Sequence, residues 1–118
     1  MLRDETIKRV VRFRDDRNWR QFHTPKDLAL SLSLEAAELL EVFQWSGGDL
    51  VCAEKLPKIR EELADVLSYC ILLADVCSLD LDEIMNAKID RNAAKYPVEL
   101  ARGSAAKYTE LKEKSRQG

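Results

Sequence analysis

From Leu63 to Leu79 the chain runs apolar, broken chiefly by Asp65 and Asp75. The run falls short of the roughly 20 residues that a membrane-spanning helix needs. It shows neither the period-two alternation nor the β-branched clustering of a strand. It therefore reads as a buried helix, and the rest of the chain must supply elements that cover it.

Those elements also read as helices. Between Asp4 and Asp16, Ile7, Val10, Val11 and Phe13 recur at helical spacing among charges. Thr24 suits an N-cap, Pro25 the first helical position and Asp27 the positive helix end, which predicts a second helix. That helix is expected to run to about Trp45 and to be stopped by Gly47 and Gly48. The third starts at Pro57 and continues through the apolar run, and Asp80 caps a fourth that ends before Pro97. Beyond Pro97 the pattern fades, apart from a short helical stretch near Ala105 to Lys114. No segment reads as a glycine-rich phosphate loop, an internal repeat or a low-complexity tract. The expected fold is an all-α four-helix bundle. It forms one domain over residues 1–118, with a core at about 4–97 and a C-terminal tail at 98–118.

The 118 residues suffice for one hydrophobic core. A net charge of −2 creates no global field toward a nucleic acid polymer or an anionic membrane. A polyanionic ligand would have to be held locally, through metal ions. Cys52, Cys70 and Cys77 form no CxxC pair, and Cys70 and Cys77 read as small core residues of a reducing compartment. The N-terminus, MLRDETIKRVVRFRDDRNW, carries charges throughout and is unlike a signal peptide, so a cytoplasmic protein is expected.

The second helix places Glu35, Glu38 and Glu41 at three-residue spacing. Like charges so placed repel by roughly 0.2–0.5 kcal/mol per pair. The third helix repeats the spacing with Glu62 and Asp65. If the two helices pack side by side, Glu35, Glu38, Glu62 and Asp65 converge, and their repulsion is relieved by protonation or by cations. Oxygen-only ligands favour Mg²⁺ or Mn²⁺ over zinc, and Mg²⁺ keeps positions for water and substrate phosphates. The ordinary alternative is a solvated acidic face. A carboxylate-bridged di-iron site needs Glu-x-x-His, and the one histidine, His23, lies outside any such motif. Glu41 and Glu61 fit an outer ligand, but partnership with nearby lysines or simple exposure fits them at least as well.

In order, the segments NWRQFHTPKDLALSLSLEAAELLEVFQW, REELADVLSYCILLA and LDEIMNAKIDRNAAKYP resemble the all-α nucleotide pyrophosphohydrolases of the MazG-like superfamily, and most nearly their dCTP pyrophosphatase branch. The resemblance covers roughly Phe13 to Pro97. It implies Mg²⁺-dependent hydrolysis between the α and β phosphates of a nucleoside triphosphate, giving the monophosphate and pyrophosphate. It also implies that Glu35, Glu38, Glu62 and Asp65 are metal-binding and catalytic, and that the assembly is a homodimer or homotetramer.

The resemblance further places Trp19, Trp45 and His23 at the base; core packing is the other reading of the tryptophans. Tyr69, one helical turn after Asp65, is expected to turn its hydroxyl to the same pocket or else to be a core tyrosine with a solvated end. Lys88, Asn92 and Lys95 share one face of the fourth helix, with Tyr96 beside them, and fit phosphate binding or, with Arg91, a solvated basic stripe. A noncatalytic dimerisation or partner-binding scaffold is the competing function, although it gives no reason to keep four converging carboxylates. Phosphoribosyl-ATP pyrophosphohydrolase shares the chemistry, and the two tryptophans argue against it.

Overall fold

The computed structural model describes residues 2–44 and 53–103. Within them the chain forms α1 (Asp4–Asp16), α2 (Pro25–Glu41), α3 (Leu56–Val76), α4 (Leu81–Lys95) and α5 (Val98–Ala101), with 3₁₀ turns at Arg20–Phe22 and Ala53–Lys55. No strand occurs among the described residues, and the all-α expectation holds. The chain divides into two compact units, Met1–Leu79 and Asp80–Gly118.

In the first unit, α1 has the expected bounds. It exits through Asn18 at φ 53°, a left-handed conformation that asparagine tolerates better than most residues. This bend lets the Trp19 N–H donate back to the Arg14 carbonyl at 3.2 Å. The Thr24 hydroxyl accepts the Asp27 N–H at 3.1 Å, so α2 starts at its cap. It ends at Glu41, short of the expected Trp45. The Val42, Phe43 and Gln44 N–H groups donate to the carbonyls of Leu39, Leu40 and Glu41, and this three-residue tightening closes the helix before the glycines. Trp45, Cys52 and the stretch from Ala105 to Lys114 lie outside the described residues.

The longest helix, α3, packs against α2 and more lightly against α1. It contributes buried Ile71, Leu72 and Ala74, and α2 contributes Leu28, which is 1% exposed. The helix stops at Val76, where Cys77 serves as C-cap and Ser78 turns left-handed at φ 56°. Cys77 is consequently exposed rather than a core residue, and Cys70 is half-buried. Ile7, Val10 and Val11 are half-buried in keeping with the periodicity, but Phe13 is 52% exposed, and the fully buried residue of α1 is Arg14.

In the second unit, the Asp80 carboxylate accepts the Glu83 N–H at 2.9 Å and starts α4 as expected. This helix ends at Lys95, and Pro97 then opens the short α5, which the fading sequence pattern did not signal. Among the described residues no helix is long and apolar enough to cross a membrane.

Candidate active site

Packing of α3 on α2 brings the two acidic pairs together. One carboxylate oxygen each of Glu35, Glu62 and Asp65 lies within 4.8 Å of the others. Glu62 is buried, at 6% exposure, and Glu35 is half-buried. Glu62 Oε1 receives the Lys58 ammonium at 3.1 Å, while Glu62 Oε2 and Glu35 Oε2 are buried with no hydrogen-bond partner among the described residues. A buried carboxylate oxygen without a partner is costly. Two of them beside a third carboxylate form a donor set that fits a hard divalent cation.

Glu38 joins this group electrostatically. Hydrogen bonding and charge from Glu35, then lesser desolvation and Glu62, push its carboxyl from 4.5 up to about 7. Between those values the folded protein holds a proton that the unfolded chain releases, so stability falls as pH rises through the window. Metal-free protein is therefore expected to melt at a lower temperature near pH 8 than near pH 5, and Glu38→Gln to flatten that slope. Thermal melts across pH check this, and equal slopes for parent and variant would detach Glu38 from the cluster.

Asp65 faces a second feature. A cavity of about 490 Å³ is lined by Val10, Phe13, Arg14, Trp19, His23, Asp65, Tyr69 and their neighbours. Trp19, 44% exposed, meets Phe13 edge to face at 5.8 Å between centroids. The Arg17 guanidinium lies 3.6 Å from the Phe13 ring centre and backs the pair. Such an arrangement holds a flat aromatic surface in place for a stacking partner. Burial, followed by the charge of Arg14, lowers the His23 pKa and favours the neutral imidazole, whose Nδ1 is buried without a partner among the described residues.

Arg14 itself is buried and lines this cavity. Its Nη1 donates to Asp75 Oδ2 at 2.7 Å, and its Nε donates to Asp15 Oδ1 at 2.9 Å. Burial opposes its charge, but the bonds to Asp75 and then Asp15 outweigh it and raise the pKa above the ordinary value.

Of the residues singled out in the sequence, Trp19, His23, Asp65 and Tyr69 share the aromatic cavity, and Glu35, Glu62 and Asp65 share the acidic cluster. Lys88, Asn92, Lys95 and Tyr96 belong to the second unit, on α4 and at its C-cap. Trp45 lies outside the described residues. Arg14 was missed because it is one basic residue among many in α1, with only Asp75, far along the chain, to mark it. A further cavity, of about 440 Å³, is lined among the described residues by Glu38, Glu41, Val42, Lys58 and Glu62. Lys58 had a sequence signal, its i,i+4 spacing to Glu62.

The chain is similar to known proteins. The sequence model of the MazG-like family matches residues 30–111. The chain is 42% identical to dCTP pyrophosphatase 1 of Mus musculus and to that of Homo sapiens, in each case over 113 residues, covering 91% of this chain and 66% of the relative. It thus spans about two thirds of the length of these relatives. A crystal structure of a pyrophosphatase from Archaeoglobus fulgidus superimposes with a TM-score of 0.75 at 42% identity, covering 80% of this chain and 91% of that one.

Proposed function

Since this chain belongs to the MazG-like family, we propose that it is a metal-dependent nucleoside triphosphate pyrophosphohydrolase, acting on dCTP or a modified dCTP in nucleotide-pool sanitation. The observation that carries this reading is Asp65, which belongs to the acidic cluster and also lines the aromatic cavity. A base stacked near Trp19 would have its triphosphate leading toward the carboxylates. The relatives named dCTP pyrophosphatase 1 support the base class.

The reaction adds water across the α–β phosphoanhydride: water oxygen bonds to the α phosphorus, and the bridging bond breaks with its electron pair leaving on pyrophosphate. Glu35, Glu38, Glu62 and Asp65 would hold Mg²⁺, with Mn²⁺ as a substitute. When bound, the cation neutralises phosphate charge and acidifies water. Trp19 offers its ring face to the base, with Phe13 and Arg17 fixing that face. His23, neutral and with Nδ1 unpartnered, offers a hydrogen bond to the base edge, and Tyr69 closes the cavity wall beside Asp65. Trp45, Lys88, Asn92, Lys95 and Tyr96 complete the proposed substrate contacts by resemblance.

We further propose a homodimer or homotetramer in the cytoplasm. Leu30 and Leu34 on α2, at 54% and 66% exposure, and Leu63 and Leu67 on α3, at 44% and 41%, form exposed i,i+4 leucine pairs that a second copy would bury.

The test is pyrophosphate release from dCTP, 5-methyl-dCTP, dUTP, dTTP, dATP and ITP, with Mg²⁺ and with chelator, on protein whose mass is measured by light scattering. The expected result is chelator-sensitive release, strongest for a cytosine nucleotide. Absence of release from all six by folded protein would favour the noncatalytic scaffold.

A further inference from the structure

Two cavities border the acidic cluster, and they differ in kind. The first meets it at Asp65 and combines an aromatic and apolar wall of Phe13, Trp19, Tyr69 and Leu72 with the polar side chains of Arg14 and His23. The second meets it at Glu38 and Glu62, and among the described residues its walls are mainly charged: Glu41 and Lys58 join those two carboxylates, with Val42 the one apolar side chain. A substrate with its base in the first and its α phosphate at the cluster has its β and γ phosphates directed toward the second.

Lys58 is oddly placed for a structural residue. It lies in the first turn of α3, where the positive end of the helix disfavours a cation. Its pairing with Glu62 runs from lysine to glutamate along the helix, the weaker order for an i,i+4 pair. Its ammonium is 3.1 Å from Glu62 Oε1 and 3.5 Å from Glu61 Oε2, yet the side chain is 59% exposed and free to swing.

We propose that the second cavity is the site of the leaving pyrophosphate and that Lys58 binds it, exchanging its Glu62 contact for a phosphate oxygen when a divalent cation takes Glu62. This rests on the pyrophosphohydrolase reading. Glu62 can accept the cation because its second oxygen is already buried and without a partner among the described residues. Before that, Glu38, Glu41 and Glu62 repel an anion from the cavity, so pyrophosphate binds only with the cation. Glu41, which borders the cavity without belonging to the cluster, keeps the product from binding too tightly.

The test uses calorimetric titration of Mn²⁺ into metal-free protein and of inorganic pyrophosphate into the Mg²⁺-loaded protein. For Lys58→Gln, Mn²⁺ affinity is expected to hold or rise, because a competitor for Glu62 is gone. Pyrophosphate affinity is expected to fall about tenfold, the scale of one charge-assisted hydrogen bond. Lys58→Arg should retain pyrophosphate binding, and Glu41→Gln should tighten it. Unchanged pyrophosphate affinity in Lys58→Gln, or pyrophosphate binding by the parent without cation, would overturn the inference. If the parent hydrolyses nucleotides while Lys58→Gln binds pyrophosphate normally, only this inference fails; a folded parent that hydrolyses none takes both down.

Discussion

Glu62→Gln is expected to reduce pyrophosphate release by more than about 100-fold, beyond the range usual for residues that only support a metal ligand. It should also abolish the Mg²⁺-dependent rise in melting temperature. Glu62 is the most buried of the cluster's acids, and its Oε2 has no hydrogen-bond partner among the described residues. Glutamine keeps the shape but removes the charge and replaces one acceptor with a donor, which a cation cannot use. Without metal the variant should be no less stable than the parent. It loses a contact to the exposed Lys58 ammonium, but it relieves the repulsion of Glu62 with Glu35, Glu38 and Asp65. Melts with and without Mg²⁺, alongside a pyrophosphate assay, check both halves. An undiminished Mg²⁺ shift would remove Glu62 from the ligand set.

Asp75→Ala is expected to destabilise the metal-free protein by about 2–3 kcal/mol, because it leaves a buried guanidinium with one partner fewer. The exposures predict an asymmetry. The Arg14 side chain is 3% exposed, whereas Asp75 is 38% and Asp15 50% exposed. Arg14→Met leaves two carboxylates that water can still reach, and should cost only about 1 kcal/mol. The Arg14→Met, Asp75→Ala double variant should be more stable than Asp75→Ala alone. Urea unfolding of the four proteins measures this coupling, and additive effects would show that the pair does not act as a unit. The bond ties α1 to α3 beneath the aromatic cavity, so Asp75→Ala should also raise KM for the nucleotide more than it lowers kcat.

The four carboxylates were legible in the chain because their spacing is local: ExxE and ExxD each place two acids on one helix face, whatever the helix packs against. Asp80 and Thr24 were legible for the same reason, since a cap acts within three residues. The end of α2 was not, because i→i+3 hydrogen bonds closed the helix at Glu41 before the glycines could. Helical periodicity also put Phe13 inward and gave no cue for Arg14, because the burial of a charge depends on a partner 61 residues away.

The chain by itself therefore determined the four long helices, the caps that start α2 and α4, and the acids that repel one another, all consequences of neighbours within one turn. Only the tertiary structure decided that Asp65 would serve both the cluster and the aromatic cavity, that Arg14 would lie beneath that cavity, and that Lys58 and Glu41 would border a second one. Those juxtapositions come from α3 packing on α1 and α2, and no spacing along the sequence encodes the distance between side chains on different helices.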